Sequence, residues 1–326
     1  MAALDFPSSP VDGQVYTANG VNYVYSSARG VWANGVYTPP SFRNVVINGD
    51  FSIDQRNNGS SITHTFNAAT KGLDRWTVWC EGASPTSQRV AGAASEPYAW
   101  RFTGATGNTK VLPFTKIEAA DVAHLKNKQV VLSFRCKSTS LTSLMIGALY
   151  ANSVDNFGGT TTIAGTTITI NNTLTQYSFT FNAGANIGNG LMLSFETAGL
   201  GNGQTFELEA VQVEEGSVAS AFERTPYTAR LIRCQRYYQS NTSGDPLFCG
   251  HVVNGGTYFH YWPLPVRMRA APTVVLSDLG VSLFPAGAAS LNAATRDTIG
   301  VWKNANATAT TNSGYYAWGY TADAEL

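Results

Sequence analysis

The chain has 326 residues, 44% of them apolar, which is enough for two modest domains or for one domain and an N-terminal segment, and too many for wholesale disorder. Only 13% are charged, about half the usual share, and 21 basic residues balance 21 acidic ones. This composition excludes the dominant basic stripe of a nucleic-acid binder; no run reaches the ~20 apolar residues that span a bilayer, and Met1-Ala2-Ala3-Leu4-Asp5 is not followed by the pattern of a secretory leader.

Residues 1–42 form a first segment. Short aromatic strands at Gln14-Val15-Tyr16-Thr17, Asn22-Tyr23-Val24-Tyr25 and Gly30-Val31-Trp32-Ala33 predict a small β meander, with Asn19-Gly20 as a hairpin turn. So few residues bury little core alone, so the meander should lean on a neighbour or another copy. Pro39-Pro40 marks a linker.

Residues 43–226 read almost wholly as β. Strand-like runs begin with Val45-Val46-Ile47, Arg75 to Trp79, Trp100-Arg101-Phe102 and Val130 to Cys136. Leu144 to Tyr150, Thr175 to Phe181, Leu191 to Phe195 and Phe206 to Val213 follow. Several alternate apolar and polar residues, as strands with one wet face do. About eight strands with Gly- and Asn-rich turns predict a jelly-roll β-sandwich. The one helical stretch inside it, Ile117 to Lys126, is short and suits a cover for a sandwich edge.

Residues 227–326 open with a short helix. Tyr227, Leu231, Cys234 and Tyr238 are spaced by four, three and four, the seam of a helix that packs on symmetry mates around an oligomer axis. Alternating β patterns then resume, with Tyr258, His260 and Trp262 on one side and Phe259 and Tyr261 on the other. Pro272 to Leu276 and Gly314 to Tyr320 complete a second, smaller β-sandwich domain, so the fold class is all-β.

The chemistry of the side chains argues against an enzyme. Glu214 and Glu215 are adjacent, so on a strand they face opposite sides and cannot flank one glycosidic bond. His64, His124, His251 and His260 belong to no metal-ligand motif, and Cys80, Cys136, Cys234 and Cys249 have no zinc-site spacing. The cysteines read as buried thiols or as pairs formed in an oxidising medium. Sugar binding needs aromatic faces for C–H surfaces and amides or acids for hydroxyls. Trp79, Tyr98, Tyr150, Asn152, Asp155 and Asn156 are the candidates, the last four on a loop from Tyr150 to Gly159, although aromatics on strands commonly serve the core. Asp74-Arg75-Trp76 predicts an Asp–Arg ion pair beside a core tryptophan.

An ordered set of motifs carries a resemblance. Phe6-Pro7-Ser8-Ser9-Pro10-Val11-Asp12-Gly13-Gln14-Val15-Tyr16 with Gly30-Val31-Trp32 resembles short modules near the N-termini of bacteriophage tail-fibre proteins. Asn44 to Phe51, Asp74-Arg75-Trp76 and Phe206 to Glu214 resemble the opening, a following motif and the closing strand of jelly-roll carbohydrate-binding modules in such proteins. Gly216 to Ala219, Cys234 to Tyr238, Met268 to Val274 and Tyr320 to Leu326 continue the set, which covers nearly the whole chain. The resemblance implies a homotrimeric virion protein of a tail or neck appendage, joined through its N-terminal segment to other tail, neck or baseplate proteins. It implies attachment to a host-surface glycan, with a collar or whisker subunit lacking its own ligand as the alternative and a glycan depolymerase third. It requires no cofactor beyond an optional structural calcium, for which Asp50 and Glu209 are the positions; Ala210 stands where a second acid is usual, which weakens that site.

Overall fold

The computed structural model describes residues 6–18, 21–27, 30–34, 43–93, 96–242, 247–306 and 312–326. They fall into two compact units, Met1–Arg43 and Asn44–Leu326. In the first, β1 (Val15–Ala18), β2 (Val21–Ser26) and β3 (Val31–Asn34) form an antiparallel meander. Ala18 pairs with Val21, so two residues make the connection. Asn19-Gly20 themselves, Pro39-Pro40 and Met1 to Asp5 lie outside the described residues. Aromatic packing stands in for a core: Phe6 stacks on Trp32 at 5.2 Å and meets the edges of Tyr16 and Tyr23.

The second unit opens on buried extended chain at 44–46, where a strand was expected. It bonds to its neighbour mostly through a side chain: Asn44 Oδ1 accepts from Val46 N and Val213 N, while Val45 N donates to Val213 O. Gly49 is required here because a Cβ would sit 2.0 Å from the Val211 carbonyl oxygen.

Twelve strands then build the sandwich. The first six are β4 (Ile62–Thr63), β5 (Ala69–Lys71), β6 (Trp76–Glu81), β7 (Thr86–Ala91), β8 (Tyr98–Thr103) and β9 (Lys110–Ile117). The second six are β10 (Gln129–Ser138), β11 (Ser143–Ser153), β12 (Asn156–Thr169), β13 (Thr175–Asn182), β14 (Leu191–Ala198) and β15 (Thr205–Glu215). They form two six-stranded antiparallel sheets, ordered β13-β10-β15-β8-β7-β4 and β12-β11-β14-β9-β6-β5. Trp76, Trp100, Phe102, Phe134, Phe195 and Phe206 fill the space between them, all fully buried. The helical stretch is shorter than expected: α1 (Ala119–Val122) passes into one 3₁₀ turn at Ala123–Leu125.

Next, α2 (Tyr227–Gln235) leads to β16 (Tyr238–Asn241), β17 (Leu247–Val252), β18 (Thr257–Pro263) and β19 (Thr273–Ser282). The chain ends with β20 (Ser290–Ala294), β21 (Thr298–Asn304) and β22 (Asn312–Asp323). Long β22 pairs with β16 and β17 along one edge and β19 along the other, while β18-β21-β20 forms a second sheet. Tyr316, Trp318, Met268, Phe284 and Val301 make a separate core between these sheets.

The expected division after residue 226 lies inside the second compact unit, because charge and apolar contacts lock the two cores together. The buried Arg75 guanidinium pairs with Glu325 and lies 3.4 Å from the Tyr237 ring centroid. Arg56 meets Asp323 at 2.9 Å, and Glu118 receives both Arg236 and Arg269 at 2.6 and 2.9 Å. A small apolar cluster of Ile47, Ile53, Cys234 and Tyr237 sits beneath, with Leu231 against it. This corrects the axis reading of the seam: Cys234 and Tyr238 are buried in their own chain and Leu231 packs there too, whereas Tyr227 is exposed. From Leu231 onward the apolar spacing is satisfied within the chain. Asp74-Arg75 is corrected likewise, since Asp74 accepts from Gln55 N and Nε2 at 2.7 and 2.6 Å while Arg75 serves Glu325. Trp76 fills the core as expected.

Candidate functional site

Strand alternation gives β6 two sides. Trp76, Val78 and Cys80 are fully buried between the sheets, so Thr77, Trp79 and Glu81 lie on the outer side of the sandwich, where Thr77 is itself covered and Trp79 and Glu81 are partly exposed. The ladders carry that outward side across the sheet. Trp79 pairs with Leu112 and Thr77 with Phe114 on β9. Phe114 pairs with Ser194 and Lys116 with Met192 on β14, and then Ser194 meets Gly147, Met192 meets Leu149 and Glu196 meets Met145 on β11. One face thus presents the rings of Trp79 and Phe114 and the apolar chains of Leu112, Leu149, Met145 and Met192, with small groups between. Gly147 keeps the centre low, for a Cβ there would stand 2.6 Å from Ser194 Oγ.

Polar groups bound the face. Lys110 reaches Glu81 at 3.3 Å and Glu196 at 3.4 Å, and Trp79 Nε1 donates to Glu81 Oε1 at 3.1 Å. The hydrogen bonds from Trp79 and then Lys110 hold the Glu81 carboxyl below its ordinary value, so it is an acceptor at neutral pH. At the other end Lys116 Nζ lies 5.4 Å from the Phe157 ring centroid and donates to the Leu326 carbonyl oxygen at 3.1 Å. Ring faces suit sugar C–H surfaces, while ionised carboxylates and an ammonium suit hydroxyls.

The other expected sugar contacts do not gather around Trp79. Tyr98 belongs to the opposite sheet, where the Arg89 guanidinium covers its ring at 4.7 Å. Tyr150 pairs with the buried Leu191, and Asn152 Oδ1 accepts from Thr161 Oγ1 at 2.8 Å. The expected irregular loop is a tight hairpin instead, with Ser153 paired to Asn156. Asp155 takes φ +56° in that turn and accepts from Ala119 N at 2.7 Å, while Asn156 accepts from Gly158 N at 3.0 Å. Leu112, Phe114, Met145 and Met192 were the missed members. Alternation in Lys110 to Ile117 was the available signal, masked by Pro113, at which the β9–β14 ladder lapses for want of an N–H.

The calcium positions do not fit a shared ion as arranged. The Asp50 carboxylate is already neutralised by Arg230, with Ser52 Oγ donating to it at 3.1 Å. Glu209 accepts from Ala93 N at 3.1 Å, and burial raises its pKa. Ala210 lies at a register shift of β15 with φ +51°, next to the amide that Val211 donates to Gly49 O at 2.8 Å. Among the described residues no three His, Cys, Asp or Glu side chains gather closely enough to hold a metal.

Glu214 and Glu215 have separate partners, Ser220 at 2.7 Å and Lys128 at 3.2 Å. Cys80, Cys136 and Cys234 are buried thiols and Cys249 is an exposed one.

No protein-family model matches the sequence, and neither does any curated protein sequence. Among solved structures, a CBM4 structure aligns over 52% of this chain and 98% of its own, at 16% identity and TM-score 0.35. The enzymatically active domain of tailspike protein 4 from bacteriophage CBA120 aligns over 53% of this chain and 22% of its own, at 17% identity and TM-score 0.33. A family 11 carbohydrate-binding module from Clostridium thermocellum, in complex with a mixed-linked tetrasaccharide, covers 49% and 98% at 14% identity and TM-score 0.32.

Proposed function

We propose that this chain is a non-enzymatic attachment subunit of a bacteriophage tail or collar fibre, which holds a host-surface glycan on the Trp79 face. The observation that supports this most is the outward row of β6, β9, β14 and β11, where two aromatic rings and several apolar side chains lie between ionised groups. The ordered motif set supports placement in a virion, with the meander of 1–42 toward other tail, neck or baseplate proteins and three copies per fibre. Three linked sites of roughly millimolar strength reach useful avidity, since linkage gains about 10²–10⁴.

Binding of the purified protein to host cells and to their extracted surface polysaccharide tests the proposal. Trp79→Ala should lower binding at least tenfold with the melting temperature unchanged, because the ring faces out of the core. Absence of binding by the intact protein at micromolar concentration would leave a purely structural collar or whisker subunit. Shortening of the polysaccharide during incubation would make the chain a depolymerase.

A further inference from the structure

A second aromatic surface lies in the C-terminal module, on the side of β18 that the alternation Tyr258, His260, Trp262 leaves open. Those three turn inward. Tyr258 packs on Phe248 at 5.2 Å, His260 Nδ1 accepts from Trp318 Nε1 at 3.3 Å, and Trp262 packs on the core. Phe259 and Tyr261 therefore point outward, and they are 52% and 54% exposed. Cross-strand register assembles the rest of the face. Phe259 pairs with Trp302 and Trp302 with Ser290; Tyr261 pairs with Gly300 and Gly300 with Ala293; Thr257 pairs with Asn304.

The Tyr261 ring is seated. A Cβ on Gly300 would stand 2.6 Å from its Cε1, so the ring lies over the glycine backbone, and Asn292 Nδ2 donates to its hydroxyl at 2.7 Å. Packing of an aromatic over a cross-strand glycine by itself stabilises a sheet. It does not explain why a second ring at Phe259 and a half-buried Trp302 stand beside it in the same open face. Amides complete the surround: Asn292 on Tyr261, and Asn304, whose Oδ1 accepts from Thr257 Oγ1 at 2.7 Å. An amide retains donor and acceptor capacity beyond one such bond.

The face carries no formal charge. Thr257, Phe259, Tyr261, Pro263, Thr298, Gly300, Trp302, Asn304, Ser290 and Ala293, the positions paired along it, include no Asp, Glu, Lys or Arg. Lys303 of the same strand turns inward to the Gly287 carbonyl oxygen and Asp278. Charge complementarity thus favours an uncharged ligand that offers flat C–H faces together with hydroxyls. We infer that Phe259, Tyr261 and Trp302 form a second glycan site, selective for neutral pyranose units and separate from the Trp79 face with its Glu81, Lys110 and Glu196. The inference uses the sugar class of the proposed function but does not depend on binding at Trp79.

The test titrates neutral cello- and galacto-oligosaccharides of four to six units into the full chain and follows the tryptophan indole signals by NMR. A saturable shift of the Trp302 signal is expected, with the association constant lowered at least tenfold by Tyr261→Ala and unchanged by Trp79→Ala. Tyr261→Phe keeps the ring over Gly300 and should retain most of the affinity, which separates loss of binding from loss of fold. Shifts confined to Trp79 would overturn this inference and leave the proposed function standing. Shifts of neither signal would overturn this inference, while the proposed function stands or falls on binding to host cells and their polysaccharide. A Trp302 signal that changes with protein concentration alone would mean that a second copy covers the face, and the inference would fail.

Discussion

At the scale of single residues, two buried ionisable groups pull stability in opposite directions with pH. His64 is enclosed between Thr70 Oγ1 and Ser87 Oγ, each at 2.7 Å, and burial lowers its pKa to about 4. The unfolded chain therefore takes up that proton first as pH falls below 6.5, and stability drops by roughly 3 kcal/mol on reaching pH 4. Asp74 does the reverse. Burial raises its pKa to about 6, against the lowering effect of its Gln55 hydrogen bonds, so the folded state is protonated first and gains about 3 kcal/mol as pH falls from 6 toward 3.8. The two contributions nearly cancel between pH 7 and 4. Melting curves of two variants should expose them. Relative to the parent, His64→Gln should become progressively more stable as pH falls through this range, and Asp74→Asn progressively less stable. Parallel curves for parent and variants would show that neither group titrates differently on folding. Neither residue announced this in the sequence, because burial of a polar side chain is decided by what folds over it.

At the scale of elements, the junction between the two cores is the informative feature. Arg75 sits on a positive φ of 73° at the entrance to β6, and its guanidinium is shared by Glu325, the Tyr237 ring and the Lys116 carbonyl oxygen. Buried among neighbours, Glu325 stays ionised: Arg75 first, then Lys71 and Arg56, lower its pKa against the desolvation that would raise it. Removing one member leaves an uncompensated buried charge, which costs about 3–5 kcal/mol. Glu325→Ala should therefore loosen the C-terminal module from the sandwich. Calorimetry should show one transition in the parent and an earlier, separate transition in the variant. A single unchanged transition would mean that the apolar cluster around Cys234 and Tyr237 suffices to hold the modules. The seam spacing of α2 belongs to this same joint. Its period was legible and its partner was not, since an apolar stripe specifies burial without specifying which surface buries it.

At the scale of the whole molecule, the proposed trimer needs an interface other than Cys234 and Tyr238, which the junction consumes. Exposed apolar groups remain on α2 at Tyr227 and Ile232, and on the outer side of β19 and β22 at Val275, Leu279 and Tyr315. Multi-angle light scattering of the purified chain should return three times the 34.8 kDa chain mass. A stable folded monomer at micromolar concentration would overturn the trimer while leaving each sugar-binding test intact.

The sequence by itself determined the class of fold. Low charge, Thr- and Asn-rich surfaces and period-two alternation at Thr175 to Phe181 and Leu191 to Phe195 admit little except antiparallel β structure, because those patterns turn alternate residues to opposite sides of a strand; Val130 to Phe134 and Phe206 to Val213, by contrast, are buried on both sides. The same alternation fixed the two sides of β18 and left open which was wet. Two strands carry the signal weakly: β12 is rich in Thr and Gly, and in β9 Pro113 masks the alternation. Only the tertiary structure decided the proposed sites. Trp79, Leu112, Phe114, Met192 and Met145 come from four strands far apart in sequence, and cross-strand register alone brings them onto one face. Tyr150, Asn152, Asp155 and Asn156, adjacent in sequence and chemically apt, are taken up by a hairpin and its supports. Proximity along the chain is a local property, whereas a binding surface is set by pairing partners and by what covers each sheet, and both depend on the fold as a whole.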